Sequence, residues 1–388
     1  MITTRLATPA DSVRILRLYH AASAGLFEDA AFLDLPALER SLDSRQSPQQ
    51  IWLLAEDGPS GTVKEDALPA GVLRVLVDTN LRIGRLERVY ISPQGKDDDG
   101  NEDRIFDALI GAFVTMLRAE PPRIDVVYCT THNFTHEQHA RTLALGFSLL
   151  GVFPHAPGND TFAVGGLSAL FVDPAWRSKR RAAFALHPTI RPWFDIVRET
   201  CELPPLTVGE GRMSRVVPDV DPELEMIVAP NFVARTFRKH CENHVLPQHF
   251  YPFHSPNCVM TDADQTVEVF LHIGPSESQR HFATIIAEHV ERVVDPTQLY
   301  RRVIALLRRA RVGYVEVLID AADSAGVEAA LDAGFLPYAY FPSFKAHGES
   351  RRDFVVFGLA HENRMRVPRH LHPAYQRFLD VYLQQSRL

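Results

Sequence analysis

The feature that most restricts how this chain can fold is that it repeats itself. Leu145-Gly146-Phe147-Ser148-Leu149-Leu150-Gly151-Val152-Phe153-Pro154 is answered 188 residues later by Ala333-Gly334-Phe335-Leu336-Pro337-Tyr338-Ala339-Tyr340-Phe341-Pro342. Leu186-His187-Pro188, followed by Trp193, Asp195 and Ile196, is answered 185 residues later by Leu371-His372-Pro373, followed by Phe378, Asp380 and Val381. Glu87-Arg88-Val89 with Pro93 is echoed by Glu291-Arg292-Val293 with Pro296. Three echoes in one order, with a slowly drifting offset, point to a duplication. At 388 residues the chain has room for two such copies, each long enough for a core of its own. The pattern breaks at the proline pair Pro204-Pro205 and then Gly209 and Gly211. The expected domains are therefore 1–203 and 204–388.

The drift itself has a source. In the first copy, residues 94–103 form an acidic insertion between Pro93 and the next apolar helical pattern. In the second, Asp295-Pro296 leads straight into its helix, with Asp as N-cap and Pro at the first helical position.

Each copy alternates helical and strand periodicities. In copy one, Thr8-Pro9-Ala10-Asp11 opens a helix. Ile51–Ala55, Gly71–Val77 and Leu86–Ile91 read as strands. Ile105, Phe106, Leu109, Ile110, Phe113 and Leu117 line one helical face. Then come a strand Ile124–Cys129, a helix His136–Leu145 ending at Gly146, and two closing strands. Copy two repeats the later part, with strands Val267–His272, Phe282–His289, Val315–Ile319 and Phe354–Leu359. Its helices are expected around Leu299–Leu307 and Ala325–Ala333. The fold class is thus α/β (α+β): two tandem domains, each a mixed, mostly antiparallel sheet flanked by helices, with an appended helix after each Leu-His-Pro.

Bulk properties narrow the function classes. A net charge of −7 lacks the basic footprint of a nucleic-acid binder, and no apolar run is long enough for a membrane span. Four cysteines without CxxC spacing give neither a disulfide framework nor a four-thiolate zinc site. A cytoplasmic chain without nucleic-acid or membrane partners is expected, and its oligomeric state is open.

The element order resembles that of the GNAT superfamily of acyl-CoA-dependent N-acyltransferases. Arg5-Leu6-Ala7-Thr8-Pro9-Ala10-Asp11 is similar to that family's opening. Val89-Tyr90-Ile91-Ser92-Pro93 resembles its central strand, and Leu145-Gly146-Phe147 and Ala333-Gly334-Phe335 resemble the Gly-Phe closing its last helix. The resemblance implies acetyl-CoA or another acyl-CoA as donor and a small amine or related acceptor. It further implies that central-strand backbone holds the pantetheine arm and that a glycine-rich turn at a helix N-terminus holds the pyrophosphate. In this chain those positions are Val89, Ile91, Gly95 and Gly100, with Arg104 beside them. The loop carries Asp97, Asp98, Asp99, Glu102 and Asp103 as well, and copy two has no loop. A leaving-group tyrosine of the family would fall at Thr142 and Ala330. Copy one is expected to bind the donor and copy two to act as a structural or acceptor-binding half.

Candidate catalytic groups follow from residue chemistry. Simple alternation puts Glu87 on the face of Val89 and Ile91, where a buried carboxylate would be a general base; an ion pair with Arg85 or Arg88 is the structural alternative. Glu291 is its counterpart in copy two. His240, Cys241, His244, His249, His254 and Cys258 form the densest histidine and cysteine segment, with His244 the candidate base and Cys241 or Cys258 a candidate nucleophile. The segment's spacings match no finger pattern, so no metal site is assigned. His132, His136 and His139 read as structural, as do the helix-opening His187 and His372. Arg177, Lys179, Arg180 and Arg181, with Arg364, Arg366 and Arg369, could meet an anion or simply form a solvated face. Two alternatives stand beside the transferase: a non-catalytic tandem module that binds a ligand or protein, and an enzyme of different chemistry using segment 240–258, with or without a metal.

Overall fold

A capping interaction starts the chain's first helix. The Thr8 amide donates to Asp11 Oδ2 at 2.9 Å, closing the turn Pro9–Asp11 that leads into α1 (Ser12–Ala22). The computed structural model describes residues 2–22, 34–58, 67–93, 101–119, 124–131, 134–154, 164–181, 183–211, 223–243, 245–246, 252–274, 281–361, 365, 367 and 371–387. The chain divides into two compact units, one of Met1–Ser148 with Ser168–Trp176, the other of Leu149–Leu167 with Arg177–Leu388.

The first unit begins with β1 (Ile2–Leu6), α1, α2 (Leu35–Leu42) and a meander of β2 (Gln50–Asp57), β3 (Gly71–Asp78) and β4 (Ile83–Ile91). It continues with α3 (Asn101–Ala119), β5 (Val126–Thr130) and α4 (His136–Ala144). β6 (Ser148–Phe153) and β7 (Gly165–Phe171) follow in the chain; β6, all but Ser148, belongs to the second unit, and β7 enters the first unit at Ser168. Its strands run in the order β1-β2-β3-β4-β5-β7, antiparallel through the meander and parallel between β4 and β5. Alternation feeds two cores. Leu53, Leu73, Leu86 and Val127 meet Ile105, Phe106, Leu109 and Phe113 of α3, while Trp52, Leu54, Val72 and Tyr90 meet Ile15, Leu18 and Tyr19 of α1 and Leu38 of α2. The sheet is therefore buried on both faces.

The second unit contains α5 (Trp176–Lys179, all but its first residue), β8 (Ala185–Leu186), α6 (Arg191–Cys201) and β9 (Thr207–Val208). Then come β10 (Glu225–Val228), α7 (Pro230–Glu242), β11 (Cys258–Thr261), β12 (Val267–Gly274) and β13 (His281–Val290). α8 (Pro296–Arg309), β14 (Val312–Asp320), α9 (Ser324–Asp332), β15 (Leu336–His347), β16 (Ser350–Ala360) and α10 (Pro373–Gln385) complete it. Its order β10-β11-β12-β13-β14-β16 is that of the first unit's β1-β2-β3-β4-β5-β7, again with one parallel pair, β13 with β14. Each unit is thus a mixed, mostly antiparallel sheet flanked by helices. Asp295 caps α8 by accepting from the Thr297 amide, and Asp323 caps α9 by accepting from Gly326. Gly151 faces Ala339 in the β6–β15 ladder, where a Cβ would lie 2.3 Å from the Ala339 Cα, so no side chain fits there. No described helix is long and apolar enough to cross a membrane.

Candidate functional site

The sheet of the first unit opens at one place. The β4–β5 ladder consists of Ile83 with Val126, Gly84 with Val127 and Arg85 with Tyr128, yet β4 runs on to Ile91. A β-bulge marks the point of divergence. Arg74 pairs with Arg88 and Val75 with Leu86, so Glu87 is an extra residue on β4. Beyond the fork, the β4 edge facing β5 has left the ladder and its peptide groups can serve a ligand instead.

The bulge also corrects the expected side-chain directions. Leu86 lies in the α3-side core together with Ile91, and Val89 packs against that core, although 86 and 89 differ by an odd step. Alternation fails between Leu86 and Val89 because the extra residue, Glu87, resets it. Its carboxylate is held by Arg85, whose Nε and Nη2 donate to Oε2 at 2.9 and 2.6 Å. Arg85 also bonds Tyr128. Glu87 Oε1 makes no hydrogen bond among the described residues, and the side chain is 24% exposed. Val89 and Ile91 turn their side chains inward, so what they can offer a ligand is backbone.

The helix after the fork, α3, begins at Asn101, and the amides of its first turn have no partner within the helix. Gly95 and Gly100 lie outside the described residues. Arg104 is exposed on the first turn of α3. The acidic side chains there are partly neutralised, since Arg141 of α4 pairs with both Asp103 and Asp107.

The second unit has the same fork with different contents. Its β13–β14 ladder ends at Ile285 with Val317, and a bulge falls at Ile286. Val290 pairs with the start of β12 as Ile91 does with the start of β3, so Val89 corresponds to Glu288. Glu291 lies past the end of β13 and is not the counterpart of Glu87; it pairs with His289 at 3.1 Å. Burial pushes the Glu288 carboxyl above the usual carboxylate range, only partly opposed by a hydrogen bond with Tyr300 of α8. Only the short connection 291–295 separates β13 from α8, and Asp295 caps the helix.

The histidine-rich segment is partly assembled. His240 Nε2 lies 2.8 Å from the buried Glu268 carboxylate, and its ring is 5.3 Å from that of His289. The His254 and His272 rings are 5.4 Å apart. His244 and His249 lie outside the described residues. Neither candidate nucleophile is activated: burial raises the Cys241 thiol and pushes Cys258 up to about 12. Among the described residues, no group of three or more His, Cys, Asp or Glu side chains is arranged to hold a metal ion.

The remaining candidates have packing roles. His139, Thr142 and Ala330 are fully buried, and burial lowers the His136 imidazole. His132 lies outside the described residues. Of the two Leu-His-Pro imidazoles, His372 caps α10, its Nδ1 accepting from the Ala374 amide, while His187 Nδ1 accepts from the Thr189 amide in the turn that precedes α6, each at 3.3 Å. The basic run is split. Arg180 is buried and chelated by Asp353, which removes it from any anion patch, while Arg177 bonds the Cys201 carbonyl and Glu202. Arg364, Arg366 and Arg369 lie outside the described residues. Residue order alone did not reveal Glu288 and Tyr300; a carboxylate directly after the apolar run Ile285-Ile286-Ala287 was the signal that could have found them.

No family model and no curated protein sequence matches the chain. Among solved structures it is similar to an acetyltransferase of the GNAT family from Streptococcus pneumoniae, at 18% identity over 45% of this chain and 100% of that one, with a TM-score of 0.36. It is also similar to the ribosomal-protein-S18-alanine N-acetyltransferase of Escherichia coli, at 15% identity, 45% and 95% coverage and a TM-score of 0.32. For the PaiA N-acetyltransferase of Thermoplasma acidophilum, in complex with coenzyme A, the values are 12%, 44%, 99% and 0.30.

Proposed function

We propose that the chain is an acyl-CoA-dependent acyltransferase acting on a small amine or related acceptor, with its donor bound at the fork of the first unit. The observation that carries this reading is the bulged central strand. After Arg85, β4 leaves the β5 ladder, and the next described helix in the chain is α3. An extended ligand with amides can pair with the peptide groups around Val89 and Ile91, as an added strand does. A pyrophosphate would then meet the α3 amides, with Gly95, Gly100 and Arg104 around it. Acetyl-CoA is the donor this path suits.

Glu87 serves as the base. Arg85 fixes the carboxylate through Oε2, and the unbonded Oε1 can accept a proton from the acceptor amine. In chemical terms, the amine lone pair attacks the thioester carbonyl and its proton passes to Glu87; the C–S bond then breaks, and the proton passes on from Glu87 to the leaving thiolate, so that CoA departs as the thiol and the carboxylate is regenerated. The second unit is the partner copy, with Glu288 and Tyr300 standing in its fork. We take the two units as products of a duplication of sequence copies 1–203 and 204–388. Four free thiols fit a reducing, cytoplasmic setting.

Calorimetric titration with acetyl-CoA, followed by thiol release in the presence of small primary amines, tests this reading. Glu87→Gln is expected to leave donor binding in place and lower kcat by about 10²–10⁴-fold. Absence of acetyl-CoA binding at about 1 mM donor would sink the proposal. One observation favours a second reading, in which segment 240–258 performs its own acid–base chemistry: Glu268 orients His240 as a base would need. Acyl-CoA-independent turnover lost in His240→Ala would establish it.

A further inference from the structure

Of the chain's five lysines, Lys64 and Lys96 lie outside the described residues, and Lys179 and Lys239 are exposed. Lys345 alone among the described ones is half-buried. It sits near the turn of the β15–β16 hairpin, directly across from Arg352. Side chains opposite one another in an antiparallel pair have Cβ atoms about 4.5–5.5 Å apart, and like charges placed so destabilise each other. Arg352 is held in position: its Nη1 donates to Asp320 Oδ2 at 3.1 Å and its Nη2 to His347 Nε2 at 2.9 Å. Asp320, at the end of β14, is the carboxylate that both cations share, and Glu349 lies exposed at the hairpin tip. Burial and the Arg352 charge together push the Lys345 ammonium below its usual range, against the opposing pull of Asp320.

We infer that Lys345 is a site of spontaneous acylation by acyl-CoA thioesters. At neutral pH more of this side chain than of an exposed lysine is the free amine, the form whose lone pair attacks a thioester carbonyl. The N–C bond forms, the C–S bond breaks, and the surplus amine proton passes through water to the departing thiolate. The products are N-acyl Lys345 and CoA as the thiol. The surroundings suit this class of reagent: Lys345 and Arg352 against Asp320 leave a net positive charge, which draws the phosphates of a CoA thioester. They also favour the product. Acylation removes the charge opposite Arg352 and leaves Asp320 to Arg352 alone. The inference is independent of the acyltransferase reading, because the reaction uses no residue of either fork.

The test incubates the full chain with acetyl-CoA near neutral pH and follows acetylation of Lys179, Lys239 and Lys345 by peptide mass spectrometry. Lys345 is expected to react at least about twofold faster than either exposed lysine, since one pKa unit is worth up to about tenfold in free amine. Its rate should also level off at a lower pH than theirs. Limiting N-hydroxysuccinimidyl acetate, an amine reagent that needs no CoA site, should give the same order, which keeps the result separate from any donor binding at the forks. Arg352→Gln should slow Lys345 towards the exposed lysines. Asp320→Asn, which removes the shared carboxylate, should speed it and offers a second route should Arg352→Gln fail to fold. A Lys345 no faster than the exposed lysines with either reagent, or a rate indifferent to both substitutions, would overturn the proposal.

Discussion

Replacing Asp353 with alanine should destabilise the second unit by about 3–5 kcal/mol, because it strands a buried charge. The Asp353 side chain is fully buried and that of Arg180 is 1% exposed. Arg180 Nε donates to both carboxylate oxygens at 3.0 and 2.7 Å, Tyr340 donates its hydroxyl at 2.5 Å, and the Ser343 amide donates at 2.8 Å. Truncation removes the acceptor from all four bonds. The Arg180 guanidinium would keep the Tyr340 hydroxyl, 3.3 Å from its Nη2, and the Phe194 ring, 5.5 Å away, but no countercharge among the described residues. A paired substitution, Arg180→Met with Asp353→Leu, removes the charge along with its partner. That variant should recover more than half of the loss, leaving about 1–3 kcal/mol for the unsatisfied Tyr340 hydroxyl and Ser343 amide. Urea unfolding followed by circular dichroism and by Trp fluorescence measures both. A loss below about 1 kcal/mol for Asp353→Ala, or a double variant no better than the single, would refute the claim that Arg180 is structural rather than anion-binding.

Acid stability should depend on Asp11. Burial alone would raise its carboxyl, but hydrogen bonds from Arg5 and Thr8 overcome this and lower it from 3.8 to about 2. A depressed carboxyl stabilises the fold above its unfolded pKa and loses that contribution as pH falls. Asp11→Asn should therefore cost about 1–1.5 kcal/mol above pH 4, after allowing for solvent screening of the exposed Arg5, and the difference should shrink as pH falls from 4 towards 2 and vanish below about pH 2. Native thiol labelling at pH 8 should be slow, since Cys129 and Cys258 are buried and both pushed up to about 12. Denaturant should release all four. Gly358→Ala should lower the melting temperature measurably, because a Cβ there would lie 1.9 Å from the Tyr338 ring, and overpacking of this kind typically costs about 1–3 kcal/mol.

Part of this architecture was legible because it depends on local geometry. Gly146 and Gly334 have φ of +100° and +97° after α4 and α9, conformations that favour glycine. The next amides, Phe147 and Phe335, donate back to Thr142 and Ala330, so the echo at 188 residues is one capping motif used twice. The Leu-His-Pro echo is likewise one local turn used twice, His187 and His372 each accepting from the amide two residues on. The echo between Glu87 and Glu291 was misleading for the opposite reason. Register in a sheet is set by cross-strand pairing, and the bulges at Glu87 and Ile286 leave no mark in residue order. Residues 216–258 were obscure because β10 and α7 bury little: Val233 alone is buried on α7, so no clear periodicity formed. Arg180 read as one member of a basic run because its partner Asp353 is 173 residues away.

The account turns on whether the opened edge of β4 is where the donor sits. Amide hydrogen exchange with and without acetyl-CoA tests this directly. Protection is expected in residues 86–91 and the first turn of α3, with little change in residues 286–290 of β13. Binding that leaves 86–91 unprotected, or that protects β13 instead, would contradict it.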